Sequence, residues 1–155
     1  MCLLNRSRHH PRRIRRGAAA AELAIILPLL VTIVLGCVDF GRFAYNYIAL
    51  SNAVRAGAAW AMMNPPPSPM DSPPAAWQTS IVTAVSNEMS LQPGFQPGSL
   101  EVDKVTPVSE GGGTWRFTVT ATYPFQTIVT WNVSGYGIPH SMTLAQQVTM
   151  RFIRP

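Results

Sequence analysis

Glu22 is the first residue whose type and setting suggest chemistry. It is the one charged residue in the run Gly17 to Val38, which reads GAAAAELAIILPLLVTIVLGCV. A carboxylate at membrane depth costs energy, and such residues are functional candidates by default. A shallow Glu22 that reaches the headgroups is the alternative. The spacing favours the first reading. A basic leader ends in Gly17, a small-residue helix begins at Ala18, and the acid falls at the fifth position after that glycine.

Other reactive constellations are missing from the sequence. It contains no H-E-x-x-H, no G-x-S-x-G, no C-x-x-C and no phosphate-binding glycine loop. Gly111 to Gly113 lacks the following helix and lysine that a phosphate loop needs. Glu101 and Asp103 are expected on one strand face, in an exposed polar setting unsuited to general acid catalysis. His9, His10 and His140 are too scattered for a metal site. Cys2 and Cys37 are expected on opposite sides of a membrane and form no bridge. The chain is therefore expected to be no enzyme and to need no cofactor, metal or small-molecule substrate.

The charge is concentrated at one end. Residues 1–16 hold six arginines (Arg6, Arg8, Arg12, Arg13, Arg15, Arg16) and no acid, whereas the whole 155-residue chain carries only +5. The remaining residues are close to neutral, so the folded part has no basic face for nucleic acid. The apolar run has 22 residues, about 33 Å as a helix, against a hydrocarbon core of about 30 Å. That is longer than the apolar region of a cleavable signal peptide. Pro28 within it is tolerable in a bilayer. The preceding arginines place residues 1–16 in the cytoplasm and the C-terminal body outside, by the positive-inside rule.

The helical period continues past the span. Phe40, Phe43, Tyr47, Leu50, Val54, Gly57 and Ala61 recur three and four apart, forming one apolar stripe, with Arg42, Asn52 and Arg55 off it. A continuous helix from about residue 19 to 63 is expected, stopped by Asn64 and the prolines that follow. A break near Gly36 and Gly41 is the alternative. Residues 64–74 (NPPPSPMDSPP) read as an extended, semi-rigid spacer. Ser72 is expected to cap a short helix that starts at Pro73 and carries Trp77, Ile81, Val85 and Met89 on one face.

After Pro93-Gly94 the period changes to two. Leu100 and Val102 suggest one strand, Glu110 to Gly113 a turn. Trp115, Phe117, Val119, Ala121 and Tyr123 alternate with Arg116 and threonines in the clearest strand. Leu144, Val148, Met150 and Phe152 mark the last. The aromatic row is read as core rather than as a base-stacking platform. Asn132-Val133-Ser134 matches a glycosylation sequon, a short pattern that says little. The expected fold class is α+β: a long N-terminal helix, transmembrane and then extended, packed on a small antiparallel sheet. The expected parts are leader 1–17, span 18–38, helix continuation 39–63, linker 64–74 and an extracytoplasmic α+β domain at 75–155.

The basic leader, Gly17 and Glu22 resemble the start of type IV prepilins and pseudopilins. The strings Asp39-Phe40-Gly41-Arg42 and Asn52-Ala53, Arg55, Gly57-Ala58 sharpen this into a resemblance to TadE-like proteins of the tight-adherence pilus system. The resemblance implies a pilin-like fold and cleavage between Gly17 and Ala18 by a prepilin peptidase. It also implies that Glu22 pairs with the new amine of a neighbouring chain, since a paired buried charge is tolerable where an isolated one is expensive. The implied partners are other pilin-like subunits, the tight-adherence assembly machinery, the peptidase and the lipid bilayer. The implied place is the bacterial cytoplasmic membrane, crossed once. Ala18 and Leu23 depart from the aromatic residues many pilins carry there. Two other readings stand beside this one. Val34-Leu35-Gly36-Cys37 approximates a lipobox, which would anchor a lipoprotein at Cys37. An uncut single-pass anchor could instead carry a ligand-binding domain.

Overall fold

The computed structural model describes residues 13–130, 132–133, 136–137 and 140–153. The leader through Arg12, with Cys2, His9 and His10, and Ser134 of the sequon lie outside the described residues. The fold is α+β. Its contacts divide it into two units, Met1–Val38 and Asp39–Pro155. Helix α1, Arg13–Met63, carries the chain from the first into the second.

In the first unit α1 begins before Gly17, earlier than the small-residue stretch suggested. Arginine is a good helix former, and nothing in Arg13 to Arg16 stops the turn. Pro28 sits inside the helix. Thr32 Oγ1 donates to the Pro28 carbonyl at 2.8 Å, the side chain back-bonding common where the regular ladder is perturbed. The large apolar side chains of this segment, Leu23, Ile25 and Leu29 among them, are exposed. In water each would forgo about 1.5–3 kcal/mol of burial. The helix from Gly17 is long and apolar enough to cross a membrane, and a bilayer removes that cost.

The second unit has its own core. Leu50, Val54 and Ala61 of the expected stripe are buried, with Ala53 and Ala58 beside them, and Phe43 packs at the margin. Phe40 and Tyr47 do not follow the stripe: they are 71% and 45% exposed. The inward face therefore starts only about a turn beyond the end of the apolar run, and it shifts towards Ala53 and Ala58. The helix ends at Met63, as Asn64 and its prolines require.

Residues 64–74 are more than a spacer. Pro66 and Met70 are buried. Asn64 is tied on both sides: its Nδ2 donates to the Trp60 carbonyl, and its own carbonyl accepts Trp77 Nε1. Helix α2, Ala75–Met89, starts two residues later than expected. Pro74 occupies its N-cap with no side-chain bond, so Ser72 does not cap it. Its four apolar residues, Trp77, Ile81, Val85 and Met89, are all buried. Gln78 uses both ends of its amide on the Val105 backbone, donating to the carbonyl and accepting the amide. This side chain substitutes for a strand partner.

Strand β3, Thr114–Gln126, is the sheet's centre. On one side β6, Ser141–Ile153, pairs with it antiparallel along its whole length, from Thr114↔Ile153 to Gln126↔Ser141. On the other lie β1, Glu101–Val102, against Ala121 and Thr122, and β2, Val108–Gly111, against Thr114 to Arg116. Strand β1 stops at Val102, although the Asp103 amide still donates to the Thr120 carbonyl at 3.0 Å, and Glu101 and Asp103 are both exposed. Glu110 lies in β2 rather than in the turn, which leaves Gly112 and Gly113, both with positive φ, to reverse the chain. A small hairpin, β4 (Asn132–Val133) and β5 (Tyr136–Gly137), lies between β3 and β6. Phe117, Val119, Ala121, Tyr123 and Phe125 face the helices, and the threonine face looks outward.

The two helices of this unit are in tight contact at Gly57. A Cβ built there would lie 2.5 Å from Val85 Cγ2. Valine is stiff at χ1, so it cannot turn away without strain. Gly57→Ala should cost about 1–3 kcal/mol through overpacking, more than the roughly 1 kcal/mol that alanine gains in a helix. Chemical denaturation of the full chain in detergent reads this as a lowered midpoint. Combining it with Val85→Ala should recover more stability than additivity allows.

Candidate functional site

Asp39 is the second unit's first residue and is buried, 5% exposed. Its position on α1 puts it three residues before Arg42, close enough for the two side chains to meet. Arg42 Nη1 lies 3.2 Å from Asp39 Oδ1. The remaining capacity of the carboxylate is turned to the chain just after β3. The Ile128 amide donates to Oδ1 at 2.9 Å and the Val129 amide to Oδ2 at 3.4 Å. Arg42 also donates to the Gln126 carbonyl at 3.3 Å and stacks over the Phe125 ring at 5.6 Å. The acid and the arginine of the Asp39-Phe40-Gly41-Arg42 string thus fix the loop after β3 to the helix.

A second polar contact sits one turn further on. Asn46 Nδ2 donates to the Arg42 carbonyl at 2.7 Å, and Asn46 Oδ1 accepts Gln92 Nε2 from the loop after α2. Phe43 meets the Phe125 ring edge-on at 5.7 Å. Together these contacts hold helix, sheet end and α2 loop around one point. Nothing in the arrangement activates a nucleophile or a proton. Its chemistry is that of a joint.

The other residues singled out by the sequence are dispersed. Gly17 and Glu22 are exposed in the first unit, and no atom lies within 4 Å of a Cβ built at Gly17. The Gly17–Ala18 peptide bond lies inside α1. Cys37 is exposed within the helix, where a lipid-bearing cysteine would usually precede a flexible tether. Phe40, Gly41, Asn52 and Arg55 are all exposed, and a Cβ at Gly41 would meet nothing. Of the second string, Ala53, Gly57 and Ala58 pack inside. Sequence reasoning found Asp39 and Arg42 but missed Gln126, Ile128, Val129 and Gln92. Asp39 and Ile128 are 89 positions apart, and the partner groups are backbone amides. No side-chain pattern advertises them.

Asp39→Ala leaves the Ile128 and Val129 amides and the Arg42 guanidinium without the carboxylate they share. The charged hydrogen bonds it removes are worth about 1.5–3 kcal/mol each at most. Arg42 is half exposed and adds little of its own. A fall of about 2–3 kcal/mol in unfolding free energy is expected in detergent, with a smaller one for Asp39→Asn, which keeps an acceptor oxygen.

Residues 17–59 match the family model described as TadE-like protein. No curated protein and no solved structure matches the chain. The matched stretch contains Gly17, Glu22, Asp39, Arg42, Asn52, Arg55 and Gly57. The family that the sequence resembles is therefore the family whose model it matches, and residues 17–59 are the TadE-like segment of this chain.

Proposed function

We propose that this protein is a membrane-anchored, pseudopilin-like minor component of a bacterial tight-adherence pilus and acts in pilus assembly and adhesion. The observation that carries the reading is the TadE-like match across residues 17–59, which covers an apolar helix with exposed side chains. The chain inserts once into the cytoplasmic membrane with its arginines inside. A prepilin peptidase removes the leader after Gly17. The cut takes away six cationic groups that hold the chain to the cytoplasmic leaflet and creates an α-amino group at Ala18. Glu22 then pairs with that amine on an adjacent pilin-like helix. The alanines at 18–21 allow close approach between helices in lipid. The outer unit displays the assembled surface. It performs no catalysis.

Two substitutions test this reading in the native bacterium. Gly17→Ala, or a bulkier residue there, should block processing, so that the protein keeps the slower gel migration of the uncut form. Unchanged migration relative to wild type contradicts cleavage at this bond. Glu22→Ala should insert as well as wild type or better, because a charge leaves the bilayer, yet assemble poorly. Normal piliation with that variant removes the pairing role.

A further inference from the structure

The two edges of the four-stranded sheet are finished differently. An antiparallel edge strand turns the amide and carbonyl of every second residue outward, and such an edge recruits further strands unless something blunts it. The β1–β2 edge is blunted in several ways. Its strands have only two and four residues. The register to β3 shifts between Ser109 and Gly111. Lys104 and Pro107 lie between the two strands, and the Gln78 side chain occupies the Val105 backbone. Short strands, an irregular register, lysine, proline and a covering group are the usual means of keeping an edge unpaired.

Strand β6 has none of these protections. Its 13 residues run in one unshifted register against β3, and among the described residues no strand pairs with its other edge. It contains no Pro, Gly, Lys, Asp or Glu. Its one charge, Arg151, is drawn away from the open edge: Nε lies 2.9 Å from Oε2 of Glu110, which sits on the far side of β3. The inward side chains Met142, Val148, Met150 and Phe152 pack against the core but are only partly buried. Ile153, at the end of the strand, is 76% exposed. The edge therefore carries both an open ladder and apolar surface still to be covered.

We propose that β6 pairs antiparallel with β6 of a second copy of this chain, across a two-fold axis at Gln147, so that the two sheets become one. A second copy is the occupant because the strand is its own complement in length, face and charge. Ser141–Ile153 is centred on Gln147, so inward residues oppose inward residues and outward oppose outward. On the inner face Met142 meets Phe152 and Leu144 meets Met150. On the outer face Arg151 meets Thr143, and no like charges are opposed. Whichever alternate residues turn their amides outward, this register sets them against the same set in the partner, so the ladder closes along the whole strand. The contact is isologous and closed, which leaves β6 no free edge for further chains. The pairing concerns the second unit alone and does not rest on the pilus reading.

The test uses the full chain in detergent, with the protein mass of the complex read by light scattering. The wild type should have twice the mass of one chain. Gln147 is exposed on the outer sheet face, so substitutions there leave the core of each copy intact. Gln147→Lys and Gln147→Glu each set like charges opposite one another across the axis and should halve the mass. An equal mixture of the two variants should restore the doubled mass. A second measurement uses Gln147→Cys with Cys2 and Cys37 replaced by serine. A short bis-maleimide should join two such chains, whereas Ser109→Cys on the opposite edge, in the same background, should not be joined. A monomeric wild type overturns the proposal. A dimer that neither charged variant dissociates places the contact elsewhere and also overturns it. A mixture that stays monomeric, or no cross-link at 147, overturns the register.

Discussion

A buried carboxylate is tolerable only when donors fill its lone pairs, and Asp39 satisfies that condition with groups from distant parts of the chain. One oxygen takes Arg42 and the Ile128 amide, and the other takes the Val129 amide. The consequence is geometric. The first turn of α1 in the second unit and the end of the central strand cannot move apart without stranding a charge. Arg42 extends the joint to the Gln126 carbonyl and the Phe125 ring. The string Asp39-Phe40-Gly41-Arg42 therefore has a physical meaning in this chain. Two of its members make the joint, and the other two face away from it.

The chain solves two burial problems with one helix. The first unit leaves its leucines and isoleucines exposed, a surface compatible with a lipid solvent. The second unit buries a narrow face of the same helix under α2 and the sheet. Gly57 makes the close approach of α2 possible, because any side chain would collide with Val85. Gln78 then connects α2 to the Val105 backbone, where no strand is available to do so. Small residues and amides thus set positions in the outer unit, while large apolar ones supply its core.

The sequence made much of this fold legible. The four-residue spacing of Trp77, Ile81, Val85 and Met89 and the alternation from Trp115 to Tyr123 both survive in the structure, because periodicity records which side must be buried. The helix stop at Met63 followed from proline chemistry. The failures have a common cause. Phe40 and Tyr47 fit the apolar period but are exposed, since period alone says neither where a cover begins nor how wide it is. Pro66 and Met70 looked like spacer residues and are buried, since composition does not report tertiary packing. Ser72 had the right type for a cap, yet Pro74 starts the helix. The site was half legible. Asp39 and Arg42 belonged to a recognisable string, but their acceptor and donor partners are backbone groups about ninety positions away, which side-chain patterns do not encode.

The joint at Asp39 is tested most directly by amide hydrogen exchange on the full chain in detergent micelles, resolved at Ile128 and Val129. These amides should be protected in the wild-type chain despite lying in a surface loop, and Asp39→Asn should weaken that protection while leaving the Phe117 to Tyr123 amides of β3 unchanged. Exchange at 128 and 129 as fast as in an unstructured peptide, with or without the substitution, would contradict the account.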